Sequence, residues 1–202
     1  MTAKNDKELL ACLGEVLEYP RQELPAKVQG ASALAEGKPE VQAALSSFLL
    51  ECESYTDDRL AEVYTRTFDV APRCSPYLSI HLFGEESFHR ARLMVGLRGA
   101  LLAVGIDPAP ELPDHFAIVL KAAPLLPADE WQELVDFVLR AGVHAMVESI
   151  ENSQNPYSHL LHAVQMLVGA ATAEDLQRLK AASQAGKNCT PPGSQKSCGG
   201  GC

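Results

Sequence analysis

Apolar side chains recur every three to four residues along most of this chain, which is the period of an α-helix that buries one face. The first such stripe runs from Leu9 to Leu17, and the longest runs from Asp129 to Ile150. Sustained two-residue alternation, the pattern of a half-buried strand, does not occur, and no Asn-Gly or Asp-Gly hairpin turn is present. The pattern predicts an all-α, single-domain helical bundle of about eight to ten helices.

Capping residues refine the predicted boundaries. Thr56 and Asn155 stand where a side-chain oxygen can accept from the first free backbone amides of a helix, and Gly84 and Gly105 stand where helices end. The one strand-like run, residues 116–120, follows a proline suited to a first helical turn, so a helix is predicted there as well.

The last 17 residues differ from the rest of the chain. Residues 186–202 are rich in Gly, Pro and Ser and offer no apolar side chain beyond prolines and cysteines, so they cannot form a packed core. We therefore predict an all-helical domain over residues 1–185 and a flexible, disordered C-terminal tail over residues 186–202. At 202 residues and 47% hydrophobic content, the chain suits one domain with a real core.

The net charge of −9 argues against nucleic-acid binding, which normally needs a basic face. An acidic surface suits a cationic partner, although it also simply favours solubility. No run of about 18 apolar residues predicts a membrane span, and the first 20 residues lack the layout of a secretory signal. These features predict a cytoplasmic protein, not a membrane protein, with reduced thiols.

The densest group of unusual residues lies between Tyr64 and Arg92, where aromatic, histidine and arginine side chains are interleaved. Two prolines within residues 69–76 predict a loop between two helices, which is a suitable place for a binding surface. His81 and Glu85 are four residues apart and would share a face of a continuous helix, but Gly84 interrupts it and a third metal ligand is missing. A polar groove bounded by His81, Glu85 and Arg90 is one alternative, and a structural bridge between two helices is the other.

Three further residues near these helices have side chains suited to binding another molecule. Arg73, in the loop, could hold a carboxylate or phosphates through its guanidinium fork, and it could lower the pKa of its neighbour Cys74. Asp114 and His115 are predicted in the first turn of a helix, where Asp114 would stabilise the free amides and His115 could titrate near neutral pH.

The tail carries three cysteines, Cys189, Cys198 and Cys202, which is one thiolate short of a closed zinc site. Transient capture of a metal or cluster is the functional alternative, and a dispensable redox-active tail is the other. Motifs of enzymes are absent: the chain has no phosphate-binding glycine loop, nucleophile elbow or His-Glu-x-x-His. We therefore predict that the protein is not an enzyme.

The order of several short motifs resembles the NarJ/TorD family of redox-enzyme maturation chaperones. The matching pieces are the aromatic segment that ends at Phe68-Asp69, then Arg73-x-Ser75-x-Tyr77-Leu78, then His81-Leu82-Phe83-Gly84-Glu85, then Arg90, and finally Glu111-Leu112-Pro113-Asp114-His115. Ala91 stands where many members have glycine, and the cysteine tail lies outside the general pattern.

This resemblance implies a chaperone that binds the apo catalytic subunit of a molybdenum oxidoreductase such as nitrate reductase through its N-terminal targeting segment. It would assist molybdenum cofactor insertion before assembly or export. No cofactor would be tightly bound, although bis-molybdopterin guanine dinucleotide could be contacted transiently. The alternative is a metal or iron-sulfur delivery protein acting through the tail cysteines. The resemblance places client binding at nine residues: Tyr64, Asp69, Arg73, Tyr77, His81, Glu85, Arg90, Asp114 and His115.

Overall fold

A computed structural model describes residues 4–151 and 154–187, with side chains to residue 181, and confirms the all-helical class. The α-helices are α1 (Lys4–Val16), α2 (Leu24–Leu34), α3 (Pro39–Glu53), α4 (Asp57–Tyr64), α5 (Leu78–Phe83), α6 (Phe88–Ala103), α7 (Phe116–Ala122), α8 (Ala128–Leu134), α9 (Arg140–Ile150), α10 (Tyr157–Val168) and α11 (Ala173–Lys187). Within the described residues the only β-type pairing is an isolated bridge between Tyr77 and His115.

Two π-helical turns continue helices rather than break them. Thr65–Asp69 extends α4, and Val135–Leu139 joins α8 to α9 into one long helix. Counted this way, the described part of the chain holds ten helices, at the upper end of the predicted range. The predicted long helix over residues 129–150 is confirmed, and it begins one residue earlier.

The core lies around α1, α7 and α10. α1 packs against α7 and α2, while α10 packs against α3 and α9. Leu9, Leu10 and Leu13 of α1 are completely buried, as is Tyr157 at the start of α10. The apolar period of the sequence therefore buries the predicted face of each central helix.

Most of the predicted helix ends are confirmed. The Thr56 Oγ1 accepts from the Arg59 amide at 3.3 Å, and the Asn155 Oδ1 accepts from the Tyr157 amide at 3.0 Å. Gly84 and Gly105 follow α5 and α6 with φ of 75° and 83°, a left-handed conformation that side chains with a Cβ disfavour. None of the described helices combines the length and apolar character needed to span a bilayer.

The proposed division at residue 185 falls at the end of the described part of the chain. The predicted tail, including Cys189, Cys198 and Cys202, lies almost wholly outside the described residues. The tail therefore stays a prediction.

Candidate functional site

The centre of the predicted site is a hydrogen-bonded contact between two distant parts of the chain, which we call the α5 joint. It joins residues 76–79, at the start of α5, to residues 114–116, at the start of α7. The Leu78 amide donates to the Asp114 carbonyl at 3.1 Å, and the Phe116 amide donates to the Pro76 carbonyl at 2.7 Å. Tyr77 and His115, one from each segment, form the isolated antiparallel β-bridge.

Asp114 is fully buried in this joint, and its role differs from the one predicted. Its Oδ2 accepts from the Ser79 amide at 3.0 Å and from the Ser79 hydroxyl, so Asp114 caps α5 rather than its own helix. The prediction that Pro113 and Asp114 lie in a first helical turn is wrong, because α7 begins only at Phe116. A sequence-local cap rule cannot see this, since the capped amide lies 35 residues upstream.

Arg90 extends the same network to α6. Its Nε donates to the Ser79 hydroxyl oxygen at 2.9 Å, and its Nη1 donates to the Glu85 carbonyl at 3.2 Å. Ser79 therefore links the Arg90 guanidinium to the Asp114 carboxylate. Sequence reasoning missed Ser79, although it is a small polar residue between two apolar neighbours on a short helix, which is a usable signal for a buried hydrogen-bonding group.

Tyr77 and His115 pack edge to face, with ring centroids 5.6 Å apart. The Tyr77 hydroxyl donates to the Glu111 carboxylate at 2.8 Å, and burial together with that acceptor raises the pKa of Tyr77 to about 12. Burial lowers the pKa of His115 below its usual value, although the nearby Glu111 acts in the opposite direction. His115 is therefore held neutral against the Tyr77 ring at neutral pH.

His81 lies on α5 and turns towards the preceding loop. Its Nε2 contacts the Ser75 carbonyl oxygen at 2.9 Å, and because a carbonyl only accepts, Nε2 carries the proton. Burial lowers the pKa of His81. Within the described residues no group of three His, Cys, Asp or Glu side chains is placed to hold a metal ion.

Tyr64 belongs to an aromatic cluster at the end of α4. Its ring lies 5.3 Å from Phe68 and 5.7 Å from Tyr157, and its hydroxyl donates to the Leu17 carbonyl at 3.3 Å. Burial raises its pKa to about 12, and the charge of Asp69 adds to the shift. Tyr64 therefore packs inward, beneath the surface on which Asp69 lies.

Three of the predicted residues remain exposed, namely Asp69, Arg73 and Glu85. Cys74, next to Arg73, is fully buried, and its Sγ lies 3.8 Å from the Met146 carbonyl. Burial raises the pKa of the Cys74 thiol to about 11, so the expectation that Arg73 would activate it is wrong. The loop turns the thiol inward, and desolvation of the thiolate outweighs any attraction from the arginine.

The structure adds a surface that the sequence did not indicate, which we call the α6–α8 groove. It is an open cleft of about 430 Å³ beside α6. Its lining is mainly apolar and comes from α5, α6, α7, α8 and the α7–α8 connection: Phe83, Leu93, Gly96, Leu97, Ala100, Leu101, Val119, Ala122, Leu126 and Leu134.

Polar and charged side chains line the two edges of the groove. Glu130 and Glu133 lie on the α8 edge, whereas His89 and Arg92 lie on the α6 edge. Predicting the groove from the sequence would have required knowing that α6 packs chiefly against α5 and leaves one side open. Among the residues of α6, Leu97 and Leu101 are the buried ones.

Comparison with known proteins agrees with the motif order. A family model described as nitrate reductase delta subunit matches residues 31–163, a range that contains all nine predicted site residues. The chain is also 26% identical over 158 residues to the probable nitrate reductase molybdenum cofactor assembly chaperone NarJ of Bacillus subtilis (strain 168), covering 77% of this chain and 83% of that protein. The predicted resemblance is thus confirmed, and this chain belongs to the nitrate reductase delta subunit family.

Proposed function

We propose that this protein is a cytoplasmic chaperone dedicated to the catalytic molybdenum subunit of a nitrate reductase. It binds the apo-subunit through that subunit's N-terminal segment and assists molybdenum cofactor insertion before assembly or export. Family membership supports the general role, and the relative from Bacillus subtilis is named a probable nitrate reductase molybdenum cofactor assembly chaperone. The observation that carries the binding mode is the α6–α8 groove.

The groove suits an amphipathic helical segment. An apolar cleft of about 430 Å³ between helices receives the apolar face of a bound helix, which is a recurrent mode of peptide recognition. Glu130 and Glu133 on one edge favour basic side chains on the bound segment. Because these carboxylates are exposed, they raise the rate of encounter more than the final affinity, which suits a chaperone that must release its client.

The nine predicted residues contribute to this proposal in two ways. Asp114, Arg90 and His81 are engaged in hydrogen bonds within the fold, so they position α5 and the start of α6 beside the groove. Asp69 and Glu85 are exposed and are proposed as direct contacts with the client. Tyr64, Tyr77, Arg73 and His115 complete the proposed client-binding set.

We propose no tightly bound cofactor and no catalytic activity. In this view bis-molybdopterin guanine dinucleotide is cargo on its way into the client, and any contact with the chaperone is transient. The groove lining supports this, because an apolar surface is better suited to a peptide than to a polyanionic pterin dinucleotide.

Two glycine substitutions on α6 test the groove. Outside its own helix backbone, a Cβ added at Gly96 or at Gly99 meets no described atom within 4 Å, so neither position obstructs the first atom of a new side chain, but only Gly96 lines the groove. Gly96→Leu fills the groove and is expected to weaken binding of a client N-terminal peptide at least about tenfold, or about 1.4 kcal/mol. Gly99→Leu, the matched control, should bind as the wild type does.

Titration calorimetry with a synthetic peptide of the client N-terminus provides the measurement. Circular dichroism should show that both variants keep the wild-type helix content, since leucine favours a helix more than glycine does. Equal affinity of Gly96→Leu and wild-type protein would refute the groove as the binding site.

Delivery of a metal or iron-sulfur cluster by Cys189, Cys198 and Cys202 is the alternative function. These cysteines lie outside the described residues, so the alternative depends on their spacing alone. A chain ending after Gly186 separates the two functions. It should support client maturation fully if the groove is responsible, and it should fail if the tail thiols are.

A further inference from the structure

A second cavity, which we call the arginine cavity, lies on the protein near the end of α4. Its volume is about 220 Å³. Three arginines contribute to its lining, together with polar and apolar neighbours: Tyr55, Arg59, Val63, Arg66, Thr67, Arg73, Gln154 and Asn155. None of the described residues that line it carries a carboxylate, although the chain as a whole has a net charge of −9.

The local fold explains how three distant guanidinium groups come together. Arg59 and Arg66 lie on the continuous helix formed by α4 and its π-helical turn. The following loop folds back on that turn, because the Arg73 amide donates to the Arg66 carbonyl at 3.4 Å and the Cys74 amide donates to the Thr67 carbonyl at 3.0 Å. The loop is thereby held so that Arg73 faces the same cavity. π-Helical turns occur frequently at functional sites.

The base of the cavity is a fixed polar network. The buried Asn155 donates from Nδ2 to the Thr67 hydroxyl at 2.7 Å, and that hydroxyl donates to the Val63 carbonyl at 2.6 Å. The Asn155 Oδ1 accepts from the Tyr157 amide. Since these hydrogen bonds connect α4, its π-turn and the start of α10, they fix the base of the cavity, around which the arginine side chains remain exposed.

The charges of the cavity are only partly balanced. Glu62 pairs with Arg59 through one oxygen and with Arg66 through the other, each at 2.5 Å. Of the described side chains, no carboxylate pairs with Arg73. Three guanidinium groups and one carboxylate leave about two positive charges, and the side chains of Arg59 and Arg66 remain 50% and 68% exposed to an incoming ligand.

We infer that the arginine cavity binds the phosphate or diphosphate group of a small molecule. A single carboxylate is satisfied by one guanidinium fork, whereas a tetrahedral dianion offers enough oxygens to accept from several. The volume is below the range of about 300–1,000 Å³ that encloses a drug-sized ligand, so the cavity takes the charged group and leaves the remainder of the ligand outside.

Calorimetry at constant ionic strength tests the site on the full-length protein alone. Sodium diphosphate, inorganic phosphate and a nucleoside diphosphate are the probes, and acetate is the monoanionic comparison. Diphosphate is expected to bind and to raise the melting temperature, with acetate at least about tenfold weaker. Arg73→Ala and Arg66→Ala should each weaken diphosphate binding about tenfold, and Arg73→Lys should recover part of the affinity because it restores charge without the fork.

Arg98→Ala is the matched control, because Arg98 is an exposed arginine of α6 that does not line the cavity. It should bind diphosphate as the wild type does. Binding of the nucleoside diphosphate as strong as that of diphosphate would assign the site to the head group of a larger ligand, whereas a preference for the inorganic ions would assign it to a free anion. Equal weakening in Arg98→Ala, or no binding of any phosphate probe, would overturn the inference.

This inference does not depend on the chaperone proposal. The assay contains no client, so its failure would leave the α6–α8 groove untouched. Conversely, loss of peptide binding in Gly96→Leu would say nothing about the arginine cavity.

Discussion

The helices α1 and α6 use their apolar side chains in different ways. Both are long, and both contain glycine. In α1, Leu9, Leu10 and Leu13 are completely buried. In α6, Phe88 and Val95 are 80% and 75% exposed, and apolar side chains occur on two sides of the helix.

The two helices differ in how closely other parts of the fold approach them. At Gly14 of α1, an added Cβ would lie 2.8 Å from the Ala117 carbonyl oxygen of α7, so only glycine permits this contact. At Gly96 and Gly99 of α6, an added Cβ meets open space. α1 therefore uses its apolar face to build the core, whereas α6 keeps an apolar surface available, and such exposed surface typically marks an interaction site.

The largest loss of stability is expected from a substitution in the α5 joint, which connects the core to α6. Asp114→Ala removes the acceptor for the Ser79 amide and hydroxyl and leaves the Arg90–Ser79 contact without its buried anion. We expect a loss of about 3 kcal/mol in the free energy of unfolding, measured by urea denaturation. Asp107→Ala is the control, because Asp107 caps only the exposed Ala109 amide, and it should cost less than about 1 kcal/mol.

One substitution made in both helices should change stability in opposite directions. Gly14→Ala is expected to destabilise the fold by about 2 kcal/mol, because the new methyl group would force α1 away from the α7 backbone. Gly99→Ala should instead stabilise it by up to about 1 kcal/mol, since alanine favours a helix and no atom obstructs it. Urea denaturation of both variants measures the contrast, and two changes of the same sign would contradict it.

The smallest expected effect is a dependence of folding stability on pH. Burial lowers the pKa of His81 and His115 in the folded state, so between that lowered pKa and the unfolded value near 6.5 the unfolded chain binds more protons. Stability should therefore be full above about pH 6.5 and should decline as the pH falls below it. His115→Phe keeps an aromatic ring against Tyr77 but cannot titrate, and the slope of its melting temperature between pH 7.5 and 5.5 should be smaller. An unchanged slope would exclude His115 as a source of the pH dependence of stability.

Local signals predicted the helices well. The Thr56 and Asn155 caps and the glycines at 84 and 105 act within a few residues of their own position, so the sequence alone was sufficient to place them. The same locality explains the errors. Asp114 is of a residue type that is common in the first turn of a helix. Its carboxylate, however, accepts from an amide 35 residues away, and no rule based on neighbouring residues describes that contact.

The candidate site was predictable in part. Motif order brought attention to Tyr77, Arg90, Asp114 and His115, and the structure joins them through the α5 joint and Ser79. The grouping of Arg59, Arg66 and Arg73 was not predicted, although their spacing of seven residues is visible in the sequence. These three arginines line one cavity only because the loop after the π-turn folds back onto that turn.

The helical class and most helix ends follow from the amino-acid sequence, because capping and periodicity depend on near neighbours along the chain, and the order of the motifs identifies the family. Which apolar stripes are covered follows instead from the packed fold, since coverage depends on which helices meet and how closely. That is why Leu13 of α1 lies in the core while Val95 of α6 faces solvent, although both are apolar residues within long helices.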